Sequence, residues 1–173
     1  MNKPTISTPR LTLRPMETRD RNNLAELFID PIVTKTYMVP AFNTKVDAMP
    51  MVYKVIALSQ DPNRFIYGIY LDDALIGLVN ETDDQNKIIE LGLAILPDYH
   101  NQGYATEVLN ACINFLLDNG YNTVRTGVFS ENAPSRRVME KAEMYRLSMT
   151  ETIEYRGKEH LCIYYERVHK NIP

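Results

Sequence analysis

Along residues 8–16 (TPRLTLRPM) Leu11 and Leu13 alternate with polar neighbours, the two-residue period of a half-buried strand. Leu24, Leu27 and Phe28 follow at helical spacing behind Asp20. The helix they predict ends near Asp30-Pro31, because a residue before proline is disfavoured in the helical region. A second helix is read with Asp47 as its cap, Pro50 in its first turn and Met51, Val52, Val55 and Ile56 on one face. Residues 37–42, between the two, are apolar without a clean period and are a candidate lining for the mouth of a cavity. Residues 65–71 and 75–81 are β-rich runs around Asp72-Asp73-Ala74, which predicts an antiparallel hairpin. Residues 87–96 are almost continuously apolar, as in a central strand buried on both faces. Ala105, Val108, Leu109, Cys112, Ile113 and Leu116 then form the longest helical stripe in the chain, with Gly120 placed to end it. Residues 123–129 read as a strand, and residues 132–141 as a short helix with Pro134 in its first turn. Residues 149–155 and 159–167 make a second hairpin around Arg156-Gly157-Lys158. The order is βααβββαβαββ, an α/β chain (an α+β mixed sheet with helices against it).

The chain has 173 residues, 45% of them hydrophobic and 24% charged, with no repeat or linker, and this fits one domain spanning residues 1–173. No apolar run approaches the ~20 residues of a membrane span, and the N-terminus lacks an uninterrupted apolar signal core. Cys112 and Cys162 are too few for a disulfide framework and have no metal spacing. A cytoplasmic location is therefore expected. The net charge of −3 supplies no overall field for nucleic acid or anionic lipid, so neither is expected as a partner. His100, His160 and His169 share no metal-ligand spacing, and no metal is expected.

Chemistry concentrates in LGLAILPDYHNQGYATE, residues 91–107. A strand passes through a proline-marked turn into a glycine-containing loop that opens the long helix. A helix start offers unpaired N–H groups and the positive end of its dipole, which suits a pyrophosphate. A plain strand-to-helix turn that uses glycine for its dihedrals remains the alternative on the loop alone. The absence of GxxxxGK[ST] and of GxGxxG sets aside the nucleotide-binding loops of P-loop and dinucleotide-binding proteins.

The element order, the opening TPRLTLRPM, the core IELGLAILPDYHNQGYATEVL and SENAPSRRVMEK together resemble the GNAT acetyltransferases, in particular the RimJ/RimL-like ribosomal-protein N-acetyltransferases. The resemblance covers nearly the whole chain. It implies the acyl-CoA N-acyltransferase (GNAT) fold, acetyl-CoA as cofactor and transfer of acetyl to an amine. The acceptor is a protein N-terminal amine or a small amine such as a polyamine, an amino acid or an aminoglycoside. A CoA-binding module without turnover is the alternative of another class, and the chain is expected as a monomer or homodimer. The family's pyrophosphate loop falls on His100, Asn101, Gln102, Gly103, Tyr104 and Ala105, running on to Thr106. His100 stands where the family usually carries Arg or Gln, so weaker cofactor binding is expected. The resemblance also assigns the backbone groups of Leu93, Ala94 and Ile95 to the pantetheine arm and the thioester carbonyl.

By the same resemblance Asn132 lies near the pantetheine arm, and Ser135 is a candidate to protonate the departing thiolate. An ordinary helix cap by Asn132 stays open beside that role. Many relatives carry a tyrosine acid one turn on, where this chain has Met139. The relatives' ending Lys-Leu-Gly-Phe is here Lys141-Ala142-Glu143-Met144. Attack requires a neutral amine, so a carboxylate base is sought. Glu90 and Glu81 are the candidates, with pairing of Glu90 to Arg125 and a solvated strand end for Glu81 as the alternatives. Tyr164 and Tyr165 line an acceptor pocket or belong to the core.

Overall fold

The computed structural model describes residues 3–169. Its strands are β1 (Ile6–Ser7), β2 (Leu11–Arg14), β3 (Ile66–Leu71), β4 (Ala74–Gln85), β5 (Ile88–Ile95), β6 (Thr123–Phe129), β7 (Tyr145–Tyr155) and β8 (Lys158–Val168). The helices are α1 (Arg21–Ile29), α2 (Pro31–Thr34), α3 (Lys45–Ser59), α4 (Tyr104–Asp118) and α5 (Ala133–Lys141). The strands follow the order β1-β2-β3-β4-β5-β6-β8-β7 in a mixed sheet. One compact unit takes the described residues up to Asn80 together with Leu93–Val108, and a second takes Glu81–Gly92 together with those from Leu109 on.

In the first unit β1 to β4 form an antiparallel meander, with Leu13 opposite both Ile6 and Ile69. Met16, Leu24, Leu27, Phe28, Val52, Ile56, Tyr70 and Leu78 share its core. The Tyr70 hydroxyl donates to Asp20 at 2.6 Å inside it, which satisfies both buried groups. The first strand is shorter than residues 8–16, because Pro9 and Pro15 withhold donors at both ends, and β1 is an additional strand. Asp30 stops α1 and also caps α2, accepting from Ile32 N at 2.8 Å and Val33 N at 3.1 Å. The cap of α3 is Thr44, not Asp47. Thr44 Oγ1 accepts from Asp47 N at 3.2 Å while Asp47 Oδ2 accepts from Thr44 N at 3.0 Å, a reciprocal box. The helix thus starts at Lys45, and Pro50 lies inside it on an exposed position rather than in the first turn. Gly77 is dictated by close approach, since a Cβ there would stand 2.4 Å from Ala94 O.

In the second unit β5 runs parallel to β6 over Ile88–Glu90, β6 pairs antiparallel with β8 from Thr123 to Phe129, and β8 pairs with β7. Among the described residues neither Leu91 nor Gly92 continues the β5–β6 ladder. β5 is not buried on both faces along its length: Ile89 and Leu91 are buried, whereas Ile88, Glu90 and Gly92 are half-buried. β4 reaches Gln85, beyond the expected residue 81, because Asn86 (φ 54°) and Lys87 (φ 63°) are both left-handed, as a two-residue hairpin turn requires. Arg156 (φ 52°) and Gly157 (φ 73°) do the same between β7 and β8. β7 begins at Tyr145 rather than 149 and carries a register shift between Arg146 and Thr150. Leu109, Cys112, Ile113 and Leu116 of α4 are buried as the stripe predicts, and Gly120 (φ 96°) closes the helix.

Candidate functional site

The loop that leads from β5 into α4 turns on two left-handed residues, Asn101 (φ 60°) and Gly103 (φ 84°). Alternation of such residues with ordinary ones curls successive amides toward one side. The backbone N–H groups of Asn101, Gln102, Gly103, Tyr104, Ala105 and Thr106 have no acceptor among the described residues. Asn101, Gln102 and Gly103 are exposed, Ala105 and Thr106 are half-buried, and the Tyr104 ring is buried.

Six carbonyls of the β5–α4 connection are engaged. Ile95 O lies 2.7 Å from His100 Nε2, so the ring donates from that nitrogen. Asp98 O accepts from Gln102 Nε2 at 3.0 Å, and Gln102 O accepts from Arg10 Nη1 at 3.0 Å. Leu96 O, Pro97 O and Gly103 O accept from the backbone N–H groups of Tyr99, His100 and Glu107. Donors without partners beside carbonyls that have them make a one-sided, electropositive edge at the helix start. The His100 ring thus ties the loop to the end of β5. Leu93 is half-buried and Ala94 and Ile95 are buried, with Leu96 N donating to Ile76 O at 2.8 Å.

Arg10 escaped the sequence reading. It occupies the turn between β1 and β2, and its partner Glu107 lies in the first turn of α4. Arg10 Nε donates to Glu107 Oε2 at 2.7 Å, Arg10 N to Glu107 Oε1 at 2.9 Å, and Thr8 Oγ1 to Glu107 Oε1 at 2.6 Å. Desolvation raises the Glu107 pKa, but the bonds from Thr8 and Arg10 and the Arg10 charge outweigh it and hold the carboxyl below its ordinary value. The Arg10 guanidinium also lies over the Tyr104 ring, 4.4 Å from its centroid.

In the second unit Glu90 is half-buried, and Thr82 Oγ1 donates to its Oε1 at 3.1 Å. Arg125 stands opposite Glu90 in the ladder, yet its Nη2 bonds Glu166 Oε2 at 3.0 Å. Its charge still acts on Glu90. Burial raises the Glu90 pKa above the usual carboxylate value, the Thr82 bond and the Arg125 charge oppose the rise, and Asp83 and Glu151 add to it. Glu81 does not end β4 but lies within it, half-buried. Tyr164 and Tyr165 are buried, and the Tyr164 hydroxyl donates to Glu151 Oε2 at 2.6 Å. Burial first, then Glu151 and Glu90 among others, hold the Tyr164 phenol protonated far above its normal range.

Asn132 caps α5, its Oδ1 accepting from Ser135 N at 3.3 Å, and Ser135 is half-buried. Met139 is buried. At the end of α5 Met144 N bonds Met139 O at 3.1 Å and Glu143 N bonds Glu140 O at 3.0 Å, a Schellman closure. Glu143 takes the left-handed conformation (φ 56°) at the position of the relatives' glycine, so the altered letters keep the glycine geometry. Among the described residues no cluster of three or more His, Cys, Asp or Glu side chains suits a metal, and no helix is long and apolar enough to cross a membrane.

A family model described as an acetyltransferase (GNAT) domain matches residues 10–145. The p20 protein of Bacillus licheniformis, named as an uncharacterized N-acetyltransferase, is 29% identical over 140 residues, 78% of this chain and 79% of its own. A GNAT-family acetyltransferase from Bacillus anthracis superposes with a TM-score of 0.82 at 24% identity, covering 95% of this chain and 98% of that one. The RimL ribosomal alpha-N-protein acetyltransferase, solved in complex with Coenzyme A, gives a TM-score of 0.80 at 18% identity over 95% of this chain and 98% of its own.

Proposed function

Because the chain belongs to the GNAT acetyltransferase family, we propose that it transfers the acetyl group of acetyl-CoA directly to a primary amine within a ternary complex. The observation that carries this reading is the run of six backbone amides, residues 101–106, without an acceptor among the described residues, on a connection in which the Gln102 and Gly103 carbonyls are occupied. Those amides bind the diphosphate of the cofactor. The match to the family model runs through both compact units, which supports treating the chain as one transferase domain.

Backbone groups of Leu93, Ala94 and Ile95 serve the pantetheine arm and the thioester oxygen. His100 already holds the Ile95 carbonyl, so Ile95 contributes its N–H. The amine nitrogen attacks the thioester carbon, a proton leaves the nitrogen, and the C–S bond breaks with its electron pair on sulfur. Glu90 receives the proton, directly or through water. Its raised pKa fits a base that works closer to neutrality than an exposed carboxylate does. Ser135 protonates the thiolate, with Asn132 alongside the arm. Met139 has no proton to give. The likeness to RimL and the opening TPRLTLRPM support a protein N-terminal amine as acceptor.

Calorimetric titration with acetyl-CoA, followed by a thiol-release assay over an amine panel, tests the reading. The panel holds peptides with N-terminal serine or alanine, polyamines and aminoglycosides. Release with the peptides is the expected outcome. Release with polyamines or aminoglycosides alone moves the acceptor to small amines, binding without release on any amine indicates a CoA-binding module, and absence of binding overturns the proposal.

A further inference from the structure

The opening turn of the chain reaches the cofactor loop through a single side chain, and the geometry of that contact has a consequence for recognition. Thr8 and Leu11 close the turn, with Thr8 N donating to Leu11 O at 2.9 Å and Leu11 N to Thr8 Oγ1 at 2.8 Å. Arg10 projects from it. Glu107 uses both carboxylate oxygens to hold the Arg10 backbone and its Nε, which fixes the guanidinium plane. Nη1 then meets Gln102 O, while Nη2 lies 3.4 Å from where a Cβ of Gly103 would stand. A trans peptide is planar and its C=O and N–H point in opposite directions. Holding Gln102 O toward Arg10 therefore aims the Gly103 N–H the other way. Gly103, free of a Cβ, would otherwise let that peptide rotate at little cost.

We infer that Arg10, pinned by Glu107, is a positioning residue for the diphosphate of an acyl-CoA: it sets the Gln102–Gly103 peptide so that the Gly103 amide faces the anion, and places a permanent cation beside a loop whose first residue is histidine. This rests on the reading of residues 101–106 as the diphosphate site. The planar fork is essential to it, since Nε and Nη1 are engaged at once in directions that a lysine ammonium does not reproduce.

The test compares native protein with Arg10→Met, Arg10→Lys, Glu107→Gln and the Arg10→Met/Glu107→Gln double variant. CoA affinity is read by calorimetry, KM and kcat by thiol release, and folding by the melting midpoint without ligand. Arg10→Met should raise the Kd for CoA and the KM for acetyl-CoA by about tenfold, with kcat at saturation kept within about twofold. Arg10→Lys should recover only part of the loss. Glu107→Gln should weaken CoA binding, and the double variant should bind no worse than Arg10→Met alone, because Glu107 acts through Arg10. If Arg10→Met fails to fold, Arg10→Lys and Glu107→Gln carry the same comparison. Native binding with Arg10 variants unchanged within about twofold, or a fall confined to kcat, overturns the inference alone. Native protein that does not bind CoA overturns the loop reading on which it stands.

Discussion

Gly103→Ala separates backbone strain from cofactor contact. At Gly103 (φ 84°) the nearest atom to an added Cβ is Arg10 Nη2 at 3.4 Å, which is ordinary contact. Handedness, not space, is the obstacle. The left-handed conformation costs an L residue about 1–2 kcal/mol. In a chain of this size that lowers the melting midpoint by ~2–8 °C. Gly120→Ala is the matched comparison: Gly120 has φ 96°, nothing lies within 4 Å of an added Cβ, and the residue closes α4 far from the loop in sequence. Both variants should lose stability to a similar extent without ligand. Only Gly103→Ala should alter CoA binding. A loop that relieves its strain by turning Gly103 to negative φ rotates an adjoining peptide and withdraws at least one amide from the anion. A hydrogen bond to a charged group contributes about 1.5–3 kcal/mol, so the Kd should rise about 10- to 150-fold. Calorimetry with CoA and thermal melts of the unliganded variants read the two effects independently. Equal losses of midpoint with equal CoA affinity would refute the assignment of the Gly103 amide to the cofactor.

Glu143→Gly should stabilise the protein by about 1 kcal/mol, because it removes the left-handed strain at an intact Schellman closure; a thermal midpoint ~2–4 °C higher is the expected reading, and an unchanged one contradicts it. Glu90→Gln should depress turnover most at pH above the raised pKa, where the native carboxylate is ionised, should matter least at low pH, where native Glu90 is itself protonated, and should spare CoA affinity. The same variant has a stability signature: a folded-state pKa raised above the usual 4.5 gives stability that is present below that value and lost as pH rises through the raised one. The midpoint of Glu90→Gln relative to native should therefore climb across that window and then level off, and a constant difference would show that Glu90 is not desolvated. Asn132→Ala should cost ~0.5–2 kcal/mol as a lost cap. A role beside the pantetheine arm adds a rise in the Kd for CoA, which calorimetry detects; an unaltered Kd leaves Asn132 as a cap alone.

Long apolar periods were the readable part of the fold. The stripe from Val108 to Leu116 is buried as its spacing requires, and β6 runs over the expected residues 123–129. Boundaries set by single polar groups were harder. The choice between Thr44 and Asp47 as the cap of α3 depends on which side chain faces which amide, and both types suit either position of a reciprocal box. The turn at Asn86-Lys87 escaped notice because only its first residue is a common left-handed type. The ending of α5 shows the converse. A glycine was missing from the letters, yet Glu143 adopts its conformation, so a departure from the family pattern in sequence is none in the backbone.

The same distinction explains how the candidate site could be half legible. Its chemistry is carried by amide groups that every residue but proline possesses, so the sequence marks the place only through Gly103 and the apolar strand before it. Side-chain donors hold three carbonyls of the β5–α4 connection. Two of the three, His100 and Gln102, are local and fix peptides ahead of those amides, at Ile95 O and Asp98 O, and only the third acts on a peptide whose N–H, that of Gly103, is among them. The third is Arg10, separated from Glu107 by 97 positions, and no periodicity or motif spacing reports a pair at that distance. His100 shows why residue type misled. Compared with the arginine or glutamine of relatives, it reads as a lost phosphate ligand. In the structure its ring is spent on Ile95 O, and the cation that stands at the loop arrives from the other end of the sequence. A substitution at position 100 should therefore act through the geometry of the β5–loop junction, whereas one at position 10 acts through both geometry and charge. Salt separates the two. Raising ionic strength should shrink the CoA affinity gap between Arg10→Met and native protein, and leave the gap for His100→Ala nearly unchanged.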